Sequence, residues 1–311
     1  MPDTTRCGTG PSGRSRRTPP HGPGGAPRRR AGDELLGRGI RRPYNLWTGR
    51  AGYVKGWEVP RLADPSLTVL LGPGLAPALA GLGVLCSLRE RNVPVGLVVG
   101  VNTGALAAAL WAAGPDLEFA ARVLARLPWH RFAVARDLAS ADPLLTALNV
   151  LTRGASFSDL RRPIAVVAVE DGSGKAVWMD QGSVARAVRA SVAVPGLFEP
   201  LEQDGRRLVD GGAAWPLDRG RFEGKRLLVV EFRAADRAAA RPAPGFSVAA
   251  LELARETAGA WGRFQGGAGQ LLVVDEPVGG LLDFHRAEEW FAAGRRAFEA
   301  WLRPGGEEAG A

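Results

Sequence analysis

Two long uncharged stretches dominate the hydrophobic pattern of the chain, PSLTVLLGPGLAPALAGLGVLCSL (65–88) and NVPVGLVVGVNTGALAAALWAAGP (92–115). Each changes character midway. Leu67–Leu71 is a short β-type stretch that Gly72, Pro73 and Gly74 interrupt, and a helical pattern over 78–91 follows, with Leu79, Leu82, Leu85 and Leu88 at three-residue spacing. The second run repeats the plan, with a strand over 95–99, a turn over 100–104 and a helix over 105–113. Strand–turn–helix twice in succession is a βαβα unit, whose central parallel strands are buried on both faces and therefore read as continuously apolar. Length alone makes each run a transmembrane candidate. A membrane hairpin over 65–115 is thus the competing reading, and the glycine and proline punctuation inside each run argues against it.

The alternation continues downstream. PIAVVAVE (163–170) is a buried strand, DGSGK turns the chain into AVWM, and SVARAVRAS (183–191) is a short amphipathic helix. RRLVDGG (206–212) is a strand that ends in a carboxylate and two glycines, while RLLVVEF (226–232) and QLLVVDE (270–276) are further core strands. Residues 283–302 form a closing helix with Phe284, Ala287, Phe291 and Phe298 along one stripe, and 234–247 read as a surface loop. The fold class is α/β, with a mainly parallel central sheet flanked by helices.

Charge divides the chain. Residues 1–50 hold 11 Arg and 3 acidic residues, a net +8, which is the formal charge of the whole protein. The basic balance therefore belongs to the tail, and the rest is neutral, so no specific nucleic-acid partner is implied. The tail is rich in Pro, Gly and Arg and nearly free of large apolar residues, so residues 1–62 are expected to be disordered, as are 306–311. The folded domain is expected over 63–305. The SRRTPP segment shares only its two arginines with a twin-arginine signal, because no apolar stretch follows. The expected location is cytoplasmic, with transient contact at a membrane surface through the basic tail. Cys7 and Cys86 form no disulfide framework, and His21, His130 and His285 are scattered, so neither a metal nor a cofactor is expected.

The candidate chemistry lies in the second turn. Gly100-Val101-Asn102-Thr103-Gly104 fits the G-x-S-x-G frame of a nucleophile elbow, between a strand and a helix, with asparagine in the serine position. Asn102 has no nucleophilic oxygen, yet asparagine tolerates positive φ better than most residues, so it preserves the turn and gives up the reaction. Ser156, Ser158 and Ser191 lie outside the elbow and read as caps or turn residues.

Together with Ala190-Ser191-Val192-Ala193-Val194-Pro195-Gly196-Leu197-Phe198-Glu199-Pro200 and Asp210-Gly211-Gly212, this ordered set resembles the patatin-like phospholipases over residues 66–303. The resemblance implies a three-layer α/β fold and a Ser–Asp dyad without histidine, in which backbone N–H groups hold the oxyanion. On this chain the base maps to Asp210, the nucleophile position to Asn102, and the motif glycines to Gly100, Gly104, Gly211 and Gly212. The oxyanion loop maps to Pro73, Gly74, Leu75 and Pro77, with Thr103 after the elbow. It departs from the family pattern because Pro73 has no N–H and Pro77 stands where the family carries arginine. Thr103 has a hydroxyl, but one residue along the turn it is expected to point away from Asp210.

The resemblance implies a catalytically impaired member that binds lipid or acyl-ester ligands or regulates a protein partner. The alternative is an active acyl hydrolase that works through Asp210 in a variant site.

Overall fold

The computed structural model describes residues 66–134, 142–234, 241–264 and 269–303. The disorder expected for 1–62 and 306–311, the ends of the expected 63–305 domain, Cys7, His21 and residues 235–240 of the proposed 234–247 loop lie outside these residues. Chain order is β1 (Leu67–Leu71), α1 (Ala80–Glu90), β2 (Val95–Val101), α2 (Thr103–Ala113), α3 (Leu117–Ala125), α4 (Trp129–Val134), α5 (Pro143–Leu151), β3 (Ile164–Glu170) and β4 (Ala176–Met179). It continues with α6 (Val184–Ser191), β5 (Leu201–Gln203), β6 (Arg206–Val209), β7 (Arg226–Phe232), α7 (Val248–Ala260), β8 (Gln270–Val274) and α8 (Ala287–Trp301).

The sheet is eight-stranded and mixed, in the order β5-β6-β3-β2-β1-β7-β8, with β4 also on β3. Its centre is parallel, because β1 pairs with both β2 and β7, β2 with β3, and β7 with β8. The antiparallel part gathers around β3, β4, β5 and β6. The continuous apolar runs that look membrane-like in the sequence are these central strands and their helices. No helix among the described residues is long and apolar enough to cross a membrane.

Alternation along each strand divides the core in two. Val69, Leu71, Val98, Val166 and Val230 face a layer to which the α-helices contribute. Leu70, Val99, Val167 and Val229 face the other side, where Trp178, Trp215, Leu217, Phe222 and Phe264 pack. The architecture is thus α/β with a helix-flanked sheet, and on the second face the described cover comes from the 3-10 turns Gly211–Ala214 and Arg219–Phe222.

The boundaries shift in three places. The stretch read as one helix from residue 78 is a 3-10 turn, Ala76–Leu79, that runs into α1, with Pro77 where a missing N–H does no harm. Strand β2 continues to Val101 because Gly100 and Val101 pair with Val166 and Val167. The closing helix starts at Ala287 after a 3-10 turn, Phe284–Arg286. The α3, α4, α5 and α7 helices are absent from the sequence reading. Each of these four buries few side chains, and only Leu117, Ala120, Ala121 and Leu124 do so in α3.

Candidate active site

Register brings the two motifs together. Val166 and Val167 pair with both β2 and β4, so those strands lie on opposite edges of β3. Val169 pairs with both β4 and β6, which puts β6 on the same edge as β2. On that edge β2 is parallel to β3 and β6 antiparallel, so the two approach head-on. One ends with Val101 opposite Val167, the other with Val209 opposite Val169. The next residues of the two strands are Asn102 and Asp210, and both are fully buried. The loop after β1, with Gly74 and Leu75, closes the third side. Both β1 and β2 end at the carboxyl edge of the parallel sheet, where β2 and β7 leave β1 in opposite directions, the usual place for ligand sites in such folds.

Asn102 has φ 54° and ψ −130°, the strained geometry expected of an elbow. Gly100 and Gly104 make room for it, since a Cβ on Gly100 would lie 2.4 Å from Ala105 Cα and one on Gly104 2.6 Å from the Leu71 carbonyl oxygen. Asn102 occupies the N-cap of α2 but does not cap it with its side chain, although asparagine is among the best capping residues. Its carboxamide is engaged elsewhere. Nδ2 donates to Asp210 Oδ1 at 2.7 Å, and Oδ1 accepts the Leu75 N–H at 3.2 Å. These partners fix the amide's orientation, because a flipped amide would set oxygen against carboxylate and NH2 against N–H. The side chain expected at the nucleophile position thus engages the expected base, Asp210, and the Leu75 N–H of the loop after β1 at the same time.

The Asn102 N–H donates to Ser191 Oγ at 2.9 Å, and Ser191 Oγ donates to the Val167 carbonyl at 2.6 Å. Ser191 is therefore no cap or turn residue. It is a buried post between β3 and the elbow, whereas Ser156 does cap the 3-10 turn Phe157–Asp159. The signal was present in the sequence, as Ser191 lies inside the motif 190–200. Leu75 has φ 51°, a conformation that favours glycine. Pro77 is buried in the 3-10 turn after it, so the position of the family's arginine packs into the core.

Asp210 accepts three neutral donors, the Asn102 amide, the Gly212 N–H at 3.0 Å and the Trp261 indole N–H at 3.3 Å. The Thr103 hydroxyl is not among them. Trp261 had no signal in the sequence, since it follows an unanticipated helix and belongs to no motif. Complete burial pushes the Asp210 carboxyl up from 3.8 to about 6, and its three hydrogen bonds only partly oppose this. The folded protein therefore holds a proton between about pH 4 and 6 that the unfolded chain releases. Stability from this group is present below that window and is lost as pH rises through it, by up to about 3 kcal/mol. Urea unfolding at pH 4.5 and 7 should show this fall in the wild type and a flatter profile in Asp210→Asn. Among the described residues no group of three or more His, Cys, Asp or Glu is arranged to hold a metal ion.

Residues 69–218 match the family model described as Patatin-like phospholipase, a span that holds the elbow, the oxyanion loop and Asp210. The matched segment, which carries this site, is a patatin-like phospholipase family segment. Two NTE-family proteins of Mycobacterium tuberculosis, both described as uncharacterised, are 35% and 32% identical over 171 and 169 residues. These alignments cover 53% and 49% of this chain and 46% and 27% of theirs. Lysophospholipase NTE1 of Pyricularia oryzae is 29% identical over 167 residues, 49% of this chain and 11% of that protein. The chain thus spans less than half the length of these curated relatives. Among solved structures, VipD from Legionella pneumophila has a TM-score of 0.40 at 14% identity, covering 75% of this chain and 66% of that chain. ExoU in complex with SpcU from Pseudomonas aeruginosa has a TM-score of 0.37 at 15% identity, covering 77% and 53%.

Proposed function

We propose that this protein is a catalytically impaired patatin-like domain that binds an acyl or lipid ligand, or presents its acyl site to a protein partner, without hydrolysing esters. One observation carries the reading: the Asn102 carboxamide holds Asp210 on one side and the Leu75 N–H on the other. An ester approaching this site finds no hydroxyl to attack it, a base already hydrogen-bonded to a non-nucleophile, and an oxyanion donor already satisfied. Loss of one such donor alone slows acyl transfer about 10² to 10³-fold, and loss of the nucleophile removes the covalent route.

A second reading, in which Asp210 activates water against an ester, draws on its carboxyl lying near 6. Both of its oxygens accept hydrogen bonds and neither faces solvent, which weighs against that route.

One assay separates the two. Wild type should hydrolyse p-nitrophenyl butyrate no faster than Asp210→Ala, while 11-(dansylamino)undecanoic acid gains fluorescence on binding. Wild-type turnover that disappears in Asp210→Ala would establish the hydrolase reading instead.

A further inference from the structure

We infer that α7 is a displaceable cover over the candidate acyl site, latched by Trp261, and that an acyl chain is admitted by taking the place of this latch. The inference rests on the acyl-binding reading above. Asn102 and Asp210 are wholly buried, so no ligand reaches them unless a covering element moves. The element over the carboxylate is α7 with the residue that follows it. Its inner face holds Leu251, Ala254 and Thr257, and Trp261 comes next at the same three- to four-residue spacing. Its outer face exposes Val248, Glu252, Arg255 and Glu256.

The seat of this helix is shallow. Besides Leu251 and Trp261 its wholly buried side chains are small, whereas α8 buries Trp290, Phe291 and Phe298. Two glycines form the seat, and both belong to the motifs of the site. A Cβ on Gly196 would lie 2.5 Å from Leu253 Cδ2, and one on Gly212 would lie 2.2 Å from Trp261 Nε1. The indole thus rests with its Nε1 edge against the Asp-Gly-Gly turn, in the place where an apolar chain would approach Asp210. Its single hydrogen bond to the site, 3.3 Å to Asp210 Oδ2, is at the long end of the N–H···O range.

The chain just beyond the latch is fixed. The Phe264 N–H donates to the buried Glu231 carboxylate, and the Phe264 ring packs near Trp215 and under Arg219 on the other face of the sheet. A firm anchor three residues from a weak latch lets α7 swing out without unravelling the sheet. The parts released are one long hydrogen bond, two glycine seats and the inner-face contacts of Leu251, Ala254 and Thr257.

Hydrogen exchange of the full-length protein, read by mass spectrometry, tests this in wild type, Trp261→Ala and Gly212→Ala. The first variant removes the latch. The second pushes it off from beneath while keeping the residue-212 N–H bond to Asp210. Amides of 248–260 should exchange at least about tenfold faster than those of α6 and α8 in wild type, and faster again in both variants, with α8 unchanged. Saturating 11-(dansylamino)undecanoic acid should likewise speed 248–260 in wild type. Exchange of 248–260 at the level of α6 and α8, unmoved by either variant, overturns the cover. Probe binding with 248–260 unchanged also overturns it and leaves acyl binding standing. If no protein binds the probe while both variants still loosen 248–260, the cover stands and the acyl-binding reading falls.

Discussion

Gly211→Ala should cost the protein about 4 kcal/mol or more of folding stability, at the upper end of single substitutions. A methyl group at this position would lie 2.0 Å from the Val167 carbonyl oxygen and 2.9 Å from Ser191 Oγ. That oxygen belongs to a central strand and accepts the Ser191 hydroxyl, which in turn holds the Asn102 N–H. The atom met at 2.0 Å is backbone, so the backbone itself would have to separate and take the elbow's support with it. Gly212→Ala is the comparison, because its methyl group meets side chains and no backbone: the Trp261 indole at 2.2 Å from Nε1 and Asp210 Oδ2 at 2.9 Å. It should cost about 1–2 kcal/mol. Urea unfolding followed by far-UV circular dichroism checks the pair. Equal losses would show that the Asp-Gly-Gly turn is not pressed against β3 as described.

The second large effect is a gain. Asn102→Ser places a hydroxyl where the carboxamide now stands, between Asp210 and the Leu75 N–H. It removes the side-chain oxygen that satisfies that N–H and the amide that occupies the carboxylate. Three supports of the elbow do not depend on the side chain of residue 102: its backbone N–H bond to Ser191 and the packing of Gly100 and Gly104. Ester hydrolysis should therefore rise by about 10² to 10³ over wild type, with a dependence on Asp210. The rise stays well short of full acyl-transfer catalysis, since Pro73 supplies no N–H and the buried Pro77 supplies no cation near the oxyanion. Initial rates on p-nitrophenyl butyrate for Asn102→Ser and Asn102→Ser/Asp210→Ala check it. A gain that survives loss of Asp210 would contradict the geometry.

Much of this site was legible in the sequence because its parts are local. The elbow is five consecutive residues between an apolar strand and an apolar helix, and Asp210-Gly211-Gly212 closes a strand, so periodicity and glycine placement reveal both. What brings Asn102 to Asp210 is not local. It is the shared edge of β3, on which β2 and β6 meet head-on, and no pattern within either strand encodes that register. Ser191 was misread for the same reason, because its role depends on Val167, 24 positions away.

Trp261 and α7 left no sequence signal. A helix that buries mainly small residues has a weak apolar period, and the tryptophan that matters lies just past its end. The double hydrogen bonding of the Asn102 amide was likewise invisible. The sequence shows a missing hydroxyl, and only the geometry shows what the replacement holds.

The most direct test of the central claim is covalent labelling at residue 102. Wild type, Asn102→Ser and Asn102→Ser/Asp210→Ala would each be incubated with a fluorophosphonate and read by intact-protein mass spectrometry with peptide mapping. A scaffold that kept its elbow geometry and lost its nucleophile should show no adduct on wild type and one adduct on Asn102→Ser, mapped to position 102. That adduct should form far more slowly once Asp210 is removed. A stoichiometric adduct on wild type, at any residue of the site, would contradict the account.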